Sequence, residues 1–528
     1  MGTGSRWWWY AVGLLTQAGL GLPALAQDPP PAQDPKPPSL LQESVQVIPI
    51  PVDMEAEELG QPVRELSLDD ALRLGRAHNM QLRAAELLPQ QAQQDLLFSE
   101  AAFQPELYGS FGYAETETPT LNAFQPSIQR EAIDATLGWR QRVITGGQFD
   151  LAFRPARAET TSSLEGAFPE RQFTSVWSIS YAQPLLRGAW MDYNLAPIMT
   201  SEQNLVRSRS DFEQTVQTTL IEIVRAYWEL VYRRENYRVV AASLDVALEQ
   251  LRITEERIRV QELAPRDLIT DQAEVARRKE DLITAENEIR RREDDLRLLL
   301  FDDQEAQLWR WNLRPSDEIA VVPDVEGLVS APLVEEAMTH RPELLSLRSQ
   351  VAEAEIQLMK ARRDLLPALD LVGDYSSDGA SDTFSPAFDD SVDQQYPNWA
   401  LRLQFSVPVG NQAARAEERR AELELERRNR NRYGEMMKVA KEVRDAVRNL
   451  RSLAESIVAS AESVRLAESN LETEQIKFGV GSSTAFEVQE RNQELREARS
   501  RHLRNQLDYR VSESQLLYVQ GLLRVPED

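Results

Sequence analysis

The sequence predicts a mixed α and β membrane protein, in which long antiparallel coiled-coil helical hairpins adjoin transmembrane β-strands that several copies share as one barrel. Three observations predict this class. Some stretches alternate apolar and polar side chains with a period of two, other stretches place apolar side chains at heptad spacing over many turns, and both kinds occur twice in the same order. Period two suits strands, and heptad spacing suits helices that pack along their length.

The composition narrows the function classes. The chain has 528 residues, with 59 Lys or Arg against 85 Asp or Glu, and its formal net charge is −26. No nucleic-acid partner is expected, because phosphate contacts require clustered Lys and Arg and no basic patch dominates. The chain has no cysteine, which excludes cysteine nucleophiles and a lipid-modified N-terminal cysteine. It also has no phosphate loop, GxSxG or HExxH motif, so the sequence predicts no enzyme, no cofactor and no metal site.

The N-terminal region is predicted to be a targeting signal followed by a linker. Residues 1–26 combine a charge at Arg6, an apolar run and the small residues of Ala24–Ala26, as a cleaved secretory signal does. A membrane anchor is the alternative, but the apolar run is short for a span of roughly 20 residues. Residues 27–62 are rich in proline, which favours extended conformations and predicts a disordered linker.

The rest of the chain is predicted to contain two structural repeats, 63–330 and 331–528. A shift of 262 residues without a gap places His78–Leu82 on His340–Leu344 and keeps the apolar positions that follow in step. Identity between the repeats is low, but the order of elements is the same in both. Each repeat therefore predicts a helix, barrel strands, a long helical hairpin and a closing segment.

Each repeat offers two clear strands. The first follows a proline, Pro105 or Pro367, and the second carries the alternating pattern shown by Trp177, Ile179 and Tyr181 or by Leu401, Leu403 and Phe405. A further hairpin is predicted within residues 136–155, where two alternating runs flank Thr145-Gly146-Gly147. The chain thus supplies four strands, or six if this hairpin joins the barrel.

After its second strand each repeat changes to heptad spacing. The first long helix is predicted from about 196 to 260, which is roughly 100 Å at 1.5 Å per residue. Turns follow at 262–265 and at 479–482, and shorter helices return over about 267–302 and 486–522. The two repeats therefore each predict an antiparallel coiled-coil hairpin.

Strand counting predicts that the barrel is shared. Four strands cannot close a transmembrane barrel, since the smallest barrels have about eight. An open sheet edge cannot face lipid, because its backbone groups would have no hydrogen-bond partner. Several copies must then contribute to one barrel, and cyclic symmetry is the usual arrangement. Three chains with four strands each would give twelve.

Several stretches now carry a family resemblance, and they occur in a fixed order. The chain resembles the TolC-like outer membrane efflux protein family, the outer membrane factors, over roughly residues 65–523. The stretches are Leu66-Ser67-Leu68-Asp69-Asp70-Ala71-Leu72, Gln183-Pro184-Leu185-Leu186-Arg187-Gly188, His340-Arg341-Pro342-Glu343-Leu344 and Phe478-Gly479-Val480-Gly481 followed by Glu487-Val488.

The resemblance implies a homotrimer with a 12-stranded barrel in the outer membrane of a Gram-negative bacterium, in contact with its lipid, and a helical tunnel across the periplasm. It implies a passive exit duct of a tripartite efflux or type I secretion system. The implied partners are a periplasmic adaptor (membrane fusion) protein and an inner-membrane pump or ABC transporter. Drug efflux, metal efflux and protein secretion all remain open.

The resemblance also implies a gate at the periplasmic tips of the hairpins. Glu487 and Glu490 fall on acidic positions of the family motif, and three copies would place six carboxylates around one axis. The alternative is that both are ordinary surface acids. Asp267 matches a residue that tethers the neighbouring hairpin, but its usual Arg and Tyr partners are replaced by Ser483 and Phe478, so the resemblance does not carry that ionic lock over to this chain. Arg266 is a substitute partner or, alternatively, a solvated arginine beside a helix start.

Adaptor docking is assigned by the resemblance to the two tips. The tip residues are Ala264 and Pro265 in the first repeat and Val480 and Gly481 in the second, where small residues let helix ends approach. A plain tight turn explains the same glycine equally well.

Two further interpretations stay open. A soluble periplasmic coiled-coil scaffold would account for the heptads and the acidic charge, but it leaves the alternating aromatic strands unexplained. Residues 370–393 carry seven aspartates, which predict a solvated extracellular loop or, less directly, a calcium site without the usual ligand spacing.

Overall fold

The computed structural model describes residues 63–122, 125–161, 171–260, 265–301 and 311–526. The predicted signal of residues 1–26 and the predicted linker of residues 27–62 lie outside the described residues.

Helices and strands alternate in blocks along the described chain. In order, the elements are β1 (Val63–Leu66), α1 (Leu68–His78), α2 (Met80–Ala101), β2 (Glu106–Asn122), β3 (Gln125–Arg142), β4 (Gln148–Thr161), β5 (Arg171–Pro184), α3 (Met191–Arg259), α4 (Pro265–Leu300), β6 (Asn312–Pro315), α5 (Ser330–His340), α6 (Pro342–Asp364), β7 (Ala368–Ser381), α7 (Phe384–Val392), β8 (Pro397–Ser406), α8 (Gln412–Gly479) and α9 (Ala485–Gln520). Two helices, barrel-type strands and a pair of long helices thus occur twice.

The long helices dominate the fold. α3 has 69 residues and α8 has 68, so each is about 100 Å long. α4 and α9, with 36 residues each, pack back along them and complete two hairpins. The heptad patterns placed these four helices within a few residues, except that α8 begins earlier than its apolar pattern does. Its first turns, from Gln412, carry Arg and Glu pairs on exposed faces instead of an apolar seam.

The first helix of each repeat is divided in two. Asn79 ends α1, and its side-chain Oδ1 accepts a 3.0 Å hydrogen bond from the Leu82 backbone N–H to begin α2. In the second repeat Arg341 lies at the same break between α5 and α6, with Pro342 in the first turn of α6. The single helix predicted from the sequence is therefore a pair, because the cap and the proline interrupt the backbone ladder.

A second small sheet anchors the middle of the hairpins. β1 pairs parallel with β6, and both pack against α1, α3 and α4 around the buried side chains of Leu66 and Leu313. The Tyr227 hydroxyl of α3 donates to the Leu66 carbonyl at 3.0 Å and to the Asp317 carboxylate at 2.6 Å. Burial and the Asp317 carboxylate raise the pKa of this tyrosine, so its hydroxyl stays protonated and ties the small sheet to α3.

The large sheet has six antiparallel strands in the order β2-β3-β4-β5-β7-β8. The predicted extra hairpin is present as β3 and β4, joined by a turn in which the Val143 N–H donates to the Gly147 carbonyl at 2.7 Å. Gly146 has a φ of +84° in this turn, a conformation that favours glycine. Of the two strand counts that the sequence left open, the structure has six.

The register gives the sheet two unlike faces, since directly opposite residues in antiparallel strands share a face. One face, the apolar face, is crossed by rows of aliphatic and aromatic side chains. Its members are Leu107, Phe111 and Tyr113 of β2, Ile133, Leu137 and Trp139 of β3, Phe149, Leu151 and Phe153 of β4, Trp177, Ile179 and Tyr181 of β5, Leu369, Leu371 and Tyr375 of β7, and Trp399, Leu401, Leu403 and Phe405 of β8.

The opposite face, the polar face, carries hydrogen-bonded and charged side chains. The Tyr108 hydroxyl donates to Asp150 at 2.9 Å, and Ser180 donates to Asp374 at 2.9 Å. Arg402 forms an ion pair with the same Asp374. The sheet is therefore polar on one side. On the other side the apolar rows cross all six strands, and Glu131, Arg157 and Glu159 lie on that same face farther along β3 and β4.

The aspartate-rich segment 370–393 is not a loop, and that prediction is wrong. Its first part is β7, where Asp370, Asp374 and Asp378 alternate with the apolar face and point to the polar face. Its second part is α7, which packs on the apolar face far from the long helices, with Phe388 contacting Phe153 at a ring distance of 5.8 Å. Within the described ranges no three His, Asp or Glu side chains are grouped to hold a metal ion.

None of the described helices is both long enough and apolar enough to cross a bilayer.

Candidate functional site

The turn between α8 and α9 forms an exposed tip. The Gly481 N–H donates to the Phe478 carbonyl at 3.0 Å and the Ser482 N–H to the Lys477 carbonyl at 2.9 Å, so the last turn of α8 closes on itself. Gly481 has a φ of +77°, which explains the glycine as a helix-terminating residue. Val480 is 76% exposed beside it. The two predicted docking residues of this repeat therefore lie at the outermost point of the hairpin.

In the first repeat the tip lies mostly outside the described residues. Ala264 is outside them, and Pro265 is described only as the first residue of α4. Asp267 lies in the first turn of α4, but its side chain is outside the described part.

Glu487 caps the helix on which it lies. Its carboxylate accepts from the Thr484 backbone N–H at 2.9 Å and from the Ser483 hydroxyl at 2.8 Å, while its own N–H donates to the Thr484 hydroxyl. This is a capping box, which satisfies two backbone donors at the start of α9. The Thr484 N–H and the Ser483 hydroxyl lower the pKa of the Glu487 carboxyl. One helical turn farther along, Glu490 is exposed, and its carboxylate oxygen lies 3.9 Å from a guanidinium nitrogen of Arg491.

Phe478 is buried at the end of α8 and is held by the first repeat. Its ring lies 4.9 Å from the guanidinium carbon of Arg257, near the end of α3. The same guanidinium donates to the backbone carbonyls of Phe478 at 3.1 Å and Gly479 at 3.4 Å. Phe478 lacks the hydroxyl that a tyrosine would have at this position. The two hairpins are connected instead by the cation–π attraction between Arg257 and the Phe478 ring and by the two hydrogen bonds from Arg257 to backbone carbonyls.

A buried polar cluster next to the tip makes a second connection. We call Thr254, Asp271 and Gln489 the Asp271 cluster; they belong to α3, α4 and α9. The Asp271 carboxylate accepts from the Thr254 hydroxyl at 2.6 Å and from the Gln489 amide at 2.8 Å. Asp271 and Thr254 are buried, at 1% and 0% exposure, so both hydrogen bonds are shielded from water.

Farther from the tip the same interface continues with ion pairs. Arg278, only 1% exposed on α4, contacts the Glu274 carboxylate at 2.6 Å and that of Asp281 at 3.3 Å. Asp281 is also reached by Arg496 of α9 at 3.6 Å. An apolar cluster of Leu471, Phe478, Val488 and Leu495 fills the space between these polar contacts at the tip. The first and second hairpins of one chain are thus fastened together at their ends.

The sequence missed these contacts, although it carried a signal for them. Asp271, Glu274 and Arg278 recur at spacings of three and four residues, the positions that a buried helix stripe occupies. Charged residues on such a stripe indicate paired groups, since an unpaired buried charge is costly. The partners could not be inferred, because Thr254 and Gln489 are ordinary residues of other helices.

We expect acidification to weaken the packing of α8 on α9 through His502. Its Nδ1 lies 2.9 Å from the Ser460 hydroxyl oxygen, and burial lowers its pKa below the usual value. The folded chain then binds fewer protons than the unfolded chain between the two pKa values. The contribution of His502 to stability is therefore fully present above about pH 6.5 and is lost as the pH falls through its lowered pKa. Thermal unfolding at pH 7.5 and 5.5 should show a smaller loss on acidification for His502→Gln; an equal loss in both proteins would contradict this.

Comparison with known proteins shows what this geometry is similar to. Residues 333–521 match the model of the family described as Outer membrane efflux protein. The matched stretch runs from α5 to the end of α9 and includes the tip with Val480, Gly481, Glu487 and Glu490. The chain is also 24% identical over 354 residues to the outer membrane protein TolC of Vibrio cholerae serotype O1, covering 65% of this chain and 76% of TolC. The resemblance to the TolC-like outer membrane efflux protein family is confirmed.

Several solved structures share the fold. CusC has a TM-score of 0.64 at 16% identity, over 86% of this chain and 92% of CusC. The Campylobacter jejuni CmeC outer membrane channel has a TM-score of 0.63 at 15% identity, over 87% of each chain. VceC of Vibrio cholerae has 0.62 at 15%, over 86% of this chain and 96% of VceC. These likenesses extend the shared fold to the first repeat, which the family model does not match.

The family match and the relative confirm the predicted outer membrane location and support an efflux channel. The matched proteins are channels and not enzymes, which supports a non-enzymatic role.

Proposed function

We propose that three copies of this chain form a channel-tunnel, with the six-stranded sheets in the outer membrane and the helical hairpins crossing the periplasm. The observation that carries the proposal is the single apolar face of the large sheet, which continues across all six strands while the other face is polar. Apolar side chains outward and polar side chains inward are what a transmembrane barrel wall around an aqueous lumen requires. Hairpins about 100 Å long extend from the same sheet.

The channel is a passive exit duct of a tripartite efflux or type I secretion system. A periplasmic adaptor protein docks on the hairpin tips, at Val480 and Gly481 and at Ala264 and Pro265, and an inner-membrane pump or ABC transporter supplies the energy. The exposure of Val480 at a narrow turn supports docking there. The signal of residues 1–26 exports the chain, residues 27–62 link it, and the repeats 63–330 and 331–528 each contribute one hairpin.

The tips form the gate. Glu487 and Glu490 of three copies line the entrance with carboxylates, and Ser483 orients Glu487 through its hydroxyl. Phe478 is buried at the end of α8, and we assign Asp267 of the first repeat to the same gate. In the closed state Arg257 and the Asp271 cluster hold the two hairpins of each copy together. Buried contacts of this kind favour one discrete arrangement until a partner supplies binding energy for the other.

Fractionation of a Gram-negative host that expresses the full chain tests this proposal. We expect the protein in the outer membrane fraction, extracted by detergent as a trimer. Recovery as a soluble periplasmic monomer would contradict the channel and favour the coiled-coil scaffold.

The acidic entrance predicts a second outcome. Glu487→Gln with Glu490→Gln should reduce the cation-over-anion permeability ratio of the reconstituted channel severalfold, because each copy loses two carboxylates at the narrowest point. Glutamine also completes a capping box, so α9 keeps its start. Glu455→Gln with Glu497→Gln, two exposed acids away from the tip, makes the same charge change and should leave the ratio unaltered. Equal permeability ratios in the two double variants would contradict the proposed ring of carboxylates.

A further inference from the structure

The large sheet ends in two long edges that have no partner within the described chain. β2 pairs only with β3, and β8 pairs only with β7. The apolar side chains on these edges are the most exposed of the face, with Leu107 at 80%, Phe111 at 77% and Trp399 at 79%.

Neither edge can stay open in a bilayer. The apolar rows that α7 leaves uncovered require lipid beside them, and in hydrocarbon each unpaired backbone N–H or C=O costs on the order of several kcal/mol. In water as well, an unpaired edge strand promotes aggregation, because its free backbone groups pair with strands of other chains. Both edges therefore need strand partners at the depth of the apolar face.

We propose that β8 of one copy pairs antiparallel with β2 of the next copy, so that three copies enclose an 18-stranded barrel in place of the 12-stranded barrel implied by the family resemblance. This inference rests on the proposed trimeric channel and adds the surface through which copies join. Because the sheet has an even number of strands, β2 and β8 of neighbouring copies run in opposite directions, as antiparallel pairing requires.

The two edges are complementary in one register. Placing Leu107 opposite Phe405 brings Phe111 opposite Leu401 and Tyr113 opposite Trp399, which continues the apolar face across the junction. On the polar face the same register sets Ser110 opposite Arg402 and Gly112 opposite Ala400. A slip by one residue would place apolar side chains opposite polar ones along the whole junction.

The same register supplies the stagger that closing a sheet demands. Within one copy the pairing leads from Leu107 through Trp139, Leu151, Ile179 and Tyr375 to Trp399. At the proposed junction Trp399 meets Tyr113, six positions farther along the next β2 than Leu107. This shift in register makes the strands tilt relative to the barrel axis, and closed barrels have strand tilts of roughly 35–45°. A junction without such a shift would leave the strands parallel to the barrel axis.

The additional hairpin is part of the wall. β3 pairs with β2 over nearly its whole length and with β4 on its other side, and Leu137, Trp139 and Leu151 continue the apolar rows between β2 and β5. Removing the β3–β4 hairpin from the wall would break the hydrogen-bonded pairings of β3 with β2 and of β4 with β5. Because barrel diameter grows roughly linearly with strand number, the outer membrane end is about one and a half times as wide as a 12-stranded barrel.

Cross-linking between engineered cysteines tests the junction, and the chain has no native cysteine to interfere. The test variant is Ser110→Cys with Arg402→Cys, treated in outer membranes with a short bis-methanethiosulfonate reagent. Within one copy these positions are separated by five strand spacings, about 24 Å, so a short link joins different copies. The control variants combine Arg402→Cys with Asp150→Cys, Ala152→Cys or Arg154→Cys on β4, the edge that a four-stranded contribution would present.

We expect covalent trimers from Ser110→Cys with Arg402→Cys and none from the β4 pairs. Links from a β4 pair, or a native trimer with no links from any pair, would overturn the six-strand contribution and leave the proposed channel standing. A protein that stays monomeric in membranes would overturn both, because the channel itself requires several copies.

Discussion

Ile179→Arg is expected to keep the protein out of the outer membrane. Ile179 lies in the middle of β5 on the apolar face and is 42% exposed in the single chain. If that face meets lipid, an arginine near the bilayer midplane costs about 2–4 kcal/mol in each copy. Three copies multiply this cost, so outer membrane recovery should fall at least tenfold, measured by fractionation and immunoblotting.

Ser180→Arg is the matched control for this effect. Ser180 is the next residue of the same strand, but it lies on the polar face and donates to Asp374. A new arginine there would face the lumen near carboxylates and should be tolerated, with normal outer membrane recovery. Equal recovery of both variants, whether high or low, would contradict the assignment of the apolar face to lipid.

Asp271→Ala is expected to open the periplasmic end. The substitution removes the acceptor shared by the Thr254 hydroxyl and the Gln489 amide. A buried donor left without a partner costs about 1–3 kcal/mol. Since about 1.4 kcal/mol is a tenfold change in an equilibrium, the open population should rise about tenfold or more. Release of a trapped fluorescent dye from proteoliposomes measures this.

Two variants separate gating from general loss of stability. Glu280→Ala removes an exposed acid from the same helix and should leave dye release unchanged. Leu230→Ala makes a cavity in the core of α3, away from the tip, and should lower thermal stability without faster release. Faster release from Leu230→Ala than from Asp271→Ala would mean that loosening of the fold, and not the Asp271 cluster, controls the opening.

The elements with a regular pattern could be predicted from the sequence. Heptads located α3 and α9 within a few residues, because a helix packed along its whole length shows its period in every turn. Alternation located β5 and β8 for the same reason. The β3–β4 hairpin was recognisable from Thr145-Gly146-Gly147, but whether it joined the sheet depended on pairing with β2, which no local pattern specifies.

The rest depended on contacts between distant segments. α7 was hidden because its aspartates suggested a solvated loop, while Ala387 and Phe388 face the sheet. At the tip, the motif pointed to Glu487, and the structure adds its capping role. Arg257 and Asp271 were missed because their partners, the Phe478 carbonyl and the Gln489 amide, lie more than 200 residues away in sequence.

Planar-bilayer conductance of the purified, detergent-extracted protein tests the central claim most directly. A channel with an apolar outer face, a polar lumen and an acidic gate predicts small, discrete, cation-selective conductance steps, which become larger or more frequent in Asp271→Ala. No conductance from a protein that is soluble and monomeric after purification would contradict the account.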